Sequence, residues 1–334
     1  MWFHRFGKLA LVLRLVVVVL GAFVRLSDAG LGCPDWPGCY GLIDVPEGEQ
    51  EIAEANEAYP ERPVEPAKAW KEMIHRYAAS TLGLILVIMC VMAWVRKRNE
   101  PEQPVWMPTV LVGLVIFQGL LGMWTVTLLL KPFVVSAHLM GGLSVLSLIW
   151  WVLMRQGKYF APSSISNAWR LRNYTFIALI VVIVQIALGA WTSTNYAATA
   201  CADFPTCQGQ WVPANMDFSE AFVLWRGLGV NYEFGVLDTA ARTAIHYTHR
   251  IGAVITTLVL LVLAIRMIGG ERDQTLKAVG GFLLFALALQ LGIGIFMIEL
   301  QFPLLVATAH NGGAAVLLMA TLAAYHSVRT VPVL

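Results

Sequence analysis

The chain has 334 residues, 58% hydrophobic and only 13% charged, whereas soluble domains carry roughly 25% charged residues. So little charge cannot cover a soluble protein of this size, which excludes an ordinary cytosolic enzyme. A net charge of +2 with no basic tract excludes nucleic-acid binding and low-complexity disorder as well.

The apolar residues come in runs of about 20, the length that crosses the hydrocarbon core of a bilayer. Eight such spans are predicted: Lys8–Leu26, His75–Val95, Val105–Leu128, Phe133–Met154, Tyr174–Thr194, His246–Ile268, Lys277–Ile298 and Leu304–His326. In lipid the backbone must satisfy its own hydrogen bonds, so each is expected to be a helix. The first span is read as one of these helices rather than a signal peptide. No clear small-x-small cleavage site follows it, and it has a counterpart inside the chain.

Charge orients the spans. With the N-terminus inside, the inner segments hold 14 Lys and Arg and the outer ones 9, while the acids divide 17 outside and 4 inside. That basic excess is the positive-inside signature. Both termini are therefore expected in the cytoplasm, with the loops Ser27–Ile74 and Asn195–Ile245 outside. Within the first loop, the acidic stretch around Pro60, Pro63 and Pro66 is expected to be irregular.

The sequence is a tandem duplication. Leu20-Gly21-Ala22 and Cys33-Pro34-Asp35-Trp36-Pro37-Gly38-Cys39 recur as Leu188-Gly189-Ala190 and Cys201-Ala202-Asp203-Phe204-Pro205-Thr206-Cys207, at an offset of 168. His75-Arg76 recurs as His249-Arg250 at 174, and Gln118 and Ala137-His138 recur as Gln290 and Ala309-His310 at 172. Four helices per half is an even number, so both halves point the same way. The expected fold is an all-α integral membrane protein: eight transmembrane helices in two tandem four-helix bundles related by an axis along the membrane normal. The halves are residues 1–160 and 161–334.

The chemistry-bearing residues follow the repeat. His75, His138, His249 and His310 stand near the outer ends of the second and fourth helices of each half. A histidine pair facing across a four-helix bundle can supply both axial ligands to haem iron. Hydrogen-bonded interfacial histidines are the plainer reading; four of them at two matched positions outweigh it, because intramembrane ionisable residues are rare and usually functional. Arg25, Arg76 and Arg250 at the outer rim suit haem propionates, or snorkel to headgroups. Two Cys-x5-Cys pairs in outer loops predict the disulfides Cys33–Cys39 and Cys201–Cys207, with Cys90 a small apolar residue within a span. Glu72 lies one turn before His75, where the second half has His246. A carboxylate beside a haem can handle protons, so the first half is the candidate for chemistry and the second for a permanently bound, electron-carrying haem. Gln118, Gly119, Gly122, Trp124 and Thr125, partly matched by Gln290, Gly292 and Gly294, are read chiefly as helix-packing positions.

This set of motifs resembles the haem A synthase family. The likeness rests on Gly21-Ala22-Phe23-Val24-Arg25-Leu26-Ser27 leading into the first cysteine loop, Glu72-Met73-Ile74-His75-Arg76, Ala137-His138, Thr248-His249-Arg250 and Ala309-His310-Asn311-Gly312-Gly313. It spans essentially the whole chain. The resemblance implies oxidation of the C8 methyl of haem O to a formyl through an alcohol and a geminal diol. It implies that His75 and His138 flank the substrate haem, that Glu72 takes part in the oxidation, and that His249 and His310 ligate a haem b cofactor that passes electrons. It also implies that the Cys33–Cys39 pair matters for function. The sequence departs from compact members in its long acidic loop Asp44–Lys68, in the long Phe204–Arg242 segment, and in the extra potential ligand His246.

The rival readings are a membrane bis-His cytochrome, a thiol or quinone electron-transfer protein, and a non-enzymatic haem transporter. Ligands near one face count against the first, the four histidines against the second, and the third gives Glu72 nothing to do. Expected partners are haem O, the lipid bilayer, an electron donor and, by pathway logic, the farnesyltransferase that makes haem O. A homo-oligomer is compatible with the sequence. A bacterial plasma membrane is expected rather than the mitochondrial inner membrane.

Overall fold

A computed structural model of the chain describes residues 2–101, 103–157, 160, 168–269 and 273–329; residue 161, where the second half is expected to open, lies outside them. The described residues form ten α-helices: α1 (Trp2–Leu26), α2 (Glu49–Ala58), α3 (Pro66–Lys97), α4 (Trp106–Thr127), α5 (Pro132–Gln156), α6 (Arg172–Thr194), α7 (Phe218–Ala221), α8 (Thr239–Gly269), α9 (Gln274–Glu299) and α10 (Leu304–Ser327). Eight of them, all but α2 and α7, are long and apolar enough to cross a membrane. No strand occurs among the described residues, only isolated bridges pairing Cys39 with Leu42 and Cys207 with Gln210. The chain is an all-helical, multi-pass membrane protein.

Helices α3 and α8 begin furthest ahead of their apolar spans. Helix α3 starts at Pro66, a residue suited to a helix's first turn because its missing N–H has no partner to lose there. Its opening turns bury Ala69, Glu72 and Met73. Helix α8 starts at Thr239 and buries Ala241, Ala244 and Ile245 before His246. Hydropathy locates the lipid-facing stretch, but these turns pack on their own loops and continue the helix beyond it.

The acidic first loop is not wholly irregular, as expected, but holds α2. The Glu51 carboxylate accepts from the backbone N–H groups of Glu47 and Gly48 at 3.2 Å each, closing the helix N-terminus. Gln50 donates to Glu54 one turn on, and Glu49 and Glu51 lie in the first turn, where the helix dipole favours acids. Ala55 turns inward to a small core with Cys33, Cys39, Tyr40, Val45, Ala69 and Met73.

By packing, the chain divides into two compact units. The first comprises Met1–Val145, Thr194–Tyr196 and Val223–Leu237; the second comprises Leu146–Ser193, Ala197–Phe222 and Asp238–Leu334. In the first, α1 packs on α3 and α3 on α4; in the second, α8 and α10 pack on α9. The Val223–Leu237 segment, encoded within the second repeat, is tied into the first unit. Tyr232 N–H donates to the Leu129 carbonyl at 3.0 Å, Arg62 pairs with Glu233 at 2.8 Å, and the buried Lys131 ammonium donates to the Gly227 carbonyl at 2.5 Å, 3.5 Å from the Trp225 ring centroid.

Candidate functional site

Each unit carries a cysteine loop clamped by the arginine that follows a helix histidine. Cys33 and Cys39 are joined at 1.99 Å, and Cys201 and Cys207 at 1.91 Å, while Cys90 is free. In the first loop the Asp35 carboxylate accepts from the N–H groups of Tyr40 (2.7 Å) and Gly41 (2.8 Å). In the second, Asp203 accepts from Gln208 (2.7 Å) and Gly209 (3.0 Å), and from the Thr206 hydroxyl at 2.5 Å. These bonds, the Thr206 one foremost, hold the Asp203 carboxyl at about 2, below its ordinary 3.8. Tyr40 and Gly41, like Gln208 and Gly209, take positive φ at the turn, which the aspartate bridges stabilise.

On α3, Arg76 donates to the carbonyls of Asp35 (3.0 Å), Pro37 (3.2 Å) and Gly38. On α8, Arg250 donates to the carbonyls of Thr206 (2.6 Å) and Cys201 (2.8 Å). Each arginine is steadied from one turn earlier. The buried Glu72 carboxylate contacts Arg76 at 2.5 Å through one oxygen and accepts from Cys33 N–H at 3.0 Å through the other. In the second unit buried His246 fills that place and accepts from Arg250 at 3.4 Å. Arg25, in the last turn of α1, lies 4.1 Å from the Tyr196 ring centroid.

His75 and His249 immediately precede these arginines on α3 and α8, His138 and His310 lie on α5 and α10, and each ring sits on a glycine of a neighbouring helix. A Cβ built on Gly21 of α1 would lie 2.9 Å from His75 Cε1, and one on Gly122 of α4 would lie 3.5 Å from His138 Cε1. In the second unit the distances are 3.1 Å from Gly189 of α6 to His249 and 3.0 Å from Gly294 of α9 to His310. His75 and His138 lie within electrostatic reach of each other, as do His249 and His310. All four residues are half-buried, and the buried Nδ1 atoms of His75, His138 and His310 have no hydrogen-bond partner among the described residues.

The halves differ just beyond the histidines. In the first, Arg14 of α1 is buried and donates from Nε to the Gly142 carbonyl of α5 at 2.9 Å. In the second, the matching positions are Val182 and Ala314. Conversely, Gln185 of α6 lies over Gly252, donating to the His249 carbonyl at 3.0 Å and approaching His249 Nδ1 at 3.1 Å. The first-half positions there are Val17 and Ala78.

The chain matches the family described as cytochrome oxidase assembly protein over residues 4–322. Among curated proteins, the haem A synthase of Shewanella oneidensis is 45% identical over 93% of this chain and 92% of its own length. This chain belongs to the haem A synthase family. Two further members are 28% identical: the enzyme of Shouchella clausii, over 78% of this chain and 74% of its own length, and that of Caulobacter vibrioides, over 90% and 89%.

For a member of this family, the donor set fits haem rather than a bare ion. Among the described residues no group of three or more His, Cys, Asp or Glu side chains could hold a metal. What each unit offers is two half-buried imidazoles, each against a helix whose glycine leaves room for it. Sequence reasoning singled out the histidines and Glu72, and the two cysteine pairs it predicted are joined in the structure. It treated Gly122 and Gly294 as packing positions and gave Arg14 and Gln185 no part. The glycine seats were legible in the repeat, since Gly21 and Gly189 share its offset, and Gly122 and Gly294 the other. The loop-clamping contacts of Arg76 and Arg250 were not, because carbonyl acceptors leave no residue-type signal.

Proposed function

We propose that the chain converts haem O to haem A in a bacterial plasma membrane by two successive hydroxylations of the C8 methyl carbon, giving an alcohol and then a geminal diol that loses water. Each hydroxylation takes one oxygen atom from an external oxidant of the dioxygen class, while the other leaves as water with two electrons from the donor and two protons. His75 and His138 take the substrate haem; His249 and His310 hold a resident haem b. When bound, haem b supplies electron transfer. The observation that carries this reading is the pairing of glycine-seated histidines, repeated once per unit.

The difference between the pairs supports the division of labour. Gln185 fixes the His249 ring, as suits a ligand to a permanent cofactor, and such supporting hydrogen bonds typically strengthen metal binding. His75 has Val17 in that place, with no side-chain amide to fix its ring, as suits a ligand that must release product. Glu72 is the one buried carboxylate among the described residues. One turn from His75, it is the group to hold or pass a proton, its two oxygens kept in place by Arg76 and the Cys33 N–H. Arg25, Arg76 and Arg250 offer guanidinium N–H groups to propionates at the loop end, which the charge asymmetry puts outside the cell. Transfer from the haem O-forming farnesyltransferase and an external electron donor complete the cycle.

The test is haem analysis of the purified protein. Wild type should yield haem B together with haem O or haem A, and His249→Ala or His310→Ala should abolish the low-spin b spectrum. Glu72→Gln should keep that spectrum while haem A formation falls by about 10²–10⁴-fold, the usual cost of a lost acid or base, and haem O or its alcohol accumulates. Near-normal haem A from Glu72→Gln would remove the acid from the mechanism.

A further inference from the structure

The first unit contains a buried cation that its chemistry, as described so far, does not use. Arg14 lies within a membrane-spanning helix and is buried. Among the described residues no carboxylate pairs with it; the one buried acid, Glu72, is spent on Arg76. A charged residue at such depth is rare and marks a functional site by default.

Arg14 has company. Gly141 and Gly142 of α5 let two polar side chains lie against the backbone: a Cβ on Gly142 would fall on Arg14 Nη2 and 3.7 Å from Gln118 Oε1, and one on Gly141 would fall on Gln118 Nε2. Gln118 of α4 is buried, and its Nε2 has no hydrogen-bond partner among the described residues. The cluster thus presents a guanidinium and a free amide donor. In the second unit the glutamine and its glycine persist as Gln290 and Gly313, but the arginine and its glycine are replaced together, by Val182 and Ala314. The glycine occurs only where the arginine needs it.

The place of the cluster is fixed by chain arithmetic. Arg14 precedes Gly21, the seat of His75, by two helical turns, about 10 Å along α1. Gly142 follows His138 by one turn, about 6 Å along α5. Both steps lead away from the disulfide loop and Arg25. A macrocycle held by His75 and His138 with its propionates at the loop end turns its opposite edge toward Arg14. At that edge haem B carries an apolar vinyl group, whereas haem O carries a farnesyl chain on a hydroxyl-bearing carbon.

We propose that Arg14 and Gln118 form a subsite that hydrogen-bonds the hydroxyl of the substrate's isoprenoid substituent, so that the first unit selects haem O and the second, with Val182, accepts haem B. The inference rests on the haem O reading above. A polar seat at the inner edge fixes the carbon bearing the hydroxyl and leaves the apolar chain to the bilayer interior. A hydrogen bond to a charged group contributes about 1.5–3 kcal/mol, so its loss should weaken haem O binding roughly 10- to 100-fold while barely changing haem B binding.

The experiment titrates full-length protein, its second site filled with haem b, with haem O and separately with haem B, without reductant so that nothing turns over. Wild type should prefer haem O. Arg14→Leu should lose that preference, and Gly142→Ala, which keeps the charge but displaces the guanidinium, should lose much of it. An unchanged second-site b spectrum certifies folding. Equal weakening for both haems would make Arg14 a general anchor or a structural residue and overturn the subsite, as would unchanged selectivity in both variants. A wild type that binds no haem O would overturn the proposed function itself, and the subsite with it.

Discussion

The glycine seats make a graded prediction, because the structure ranks them. Adding a methyl group at Gly21, Gly294, Gly189 and Gly122 would bring Cβ to 2.9, 3.0, 3.1 and 3.5 Å from the facing histidine Cε1. Favourable carbon contacts lie at about 3.5–4.0 Å. At Gly122 alanine is therefore an ordinary contact, and the gain in helix propensity, up to about 1 kcal/mol, makes Gly122→Ala neutral or slightly stabilising. At the other three the ring must retreat by about half an ångström. Overpacking of that kind costs about 1–3 kcal/mol, or roughly 5- to 100-fold in occupancy of a ligand that depends on the ring.

The assay compares halves. Gly189→Ala and Gly294→Ala should release haem b faster, measured as transfer to apomyoglobin, and should diminish the low-spin spectrum. Gly21→Ala should leave that spectrum alone and weaken haem O binding, while Gly122→Ala should do neither. If Gly122→Ala proves as harmful as Gly21→Ala, or if Gly189→Ala and Gly294→Ala retain haem b at the wild-type rate, the glycines do not act through the imidazoles and the argument fails.

Two other outcomes follow from the same reading. Reporter fusions at Asn99 should report cytoplasm, and those at Glu57 and Asn215 the outer space; swapped signals would invert the placement of both cysteine loops. Non-reducing mass spectrometry should find Cys33 linked to Cys39 and Cys201 to Cys207, with Cys90 free, and five free thiols in protein from an oxidising compartment would contradict the pairing.

Much of the architecture was legible because lipid enforces it. A run of about 20 apolar residues has little choice but to be a helix, so the eight spans were found from residue type alone. The helix starts were not: Pro66–Ile74 and Thr239–Ile245 are held by packing on loops, a force that hydropathy does not register. Helix α2 was missed for a related reason. Its prolines punctuate the segment's flanks at Pro60 and Pro63, outside the helix, and its stability comes from the Glu51 cap. Of the site, the histidines were conspicuous because an ionisable residue in a span is rare. Their glycine seats were harder to see, because glycine is common in membrane helices and gains meaning only when a ring lies over it. Arg14 was counted toward membrane orientation among the inner basic residues, and only burial against Gly142 separates it from a cation facing headgroups.

On the proposed function, one duplicated frame takes on different tasks without being rebuilt. Both keep the cysteine loop, the aspartate turn, the arginine clamp and the glycine under each histidine. Both arginines clamp their loop and share one matched acceptor, the carbonyl of Gly38 or Thr206, yet one is steadied by a carboxylate and the other by an imidazole. A neutral imidazole suffices to orient Arg250, so orientation alone does not require an acid at position 72. On the proposed function the Glu72 carboxylate has a task besides positioning Arg76, and proton handling is the one a carboxylate performs that His246, fixed against Arg250, does not duplicate. The argument can be broken directly. Arg76→Gln releases the loop clamp while leaving the acid, and Glu72→Gln keeps a hydrogen-bond acceptor for the Cys33 N–H while removing the charge. Distinct product patterns, with loss of loop protection in the first and haem O accumulation on an intact loop in the second, separate the two roles. Identical behaviour would reduce Glu72 to a support for Arg76.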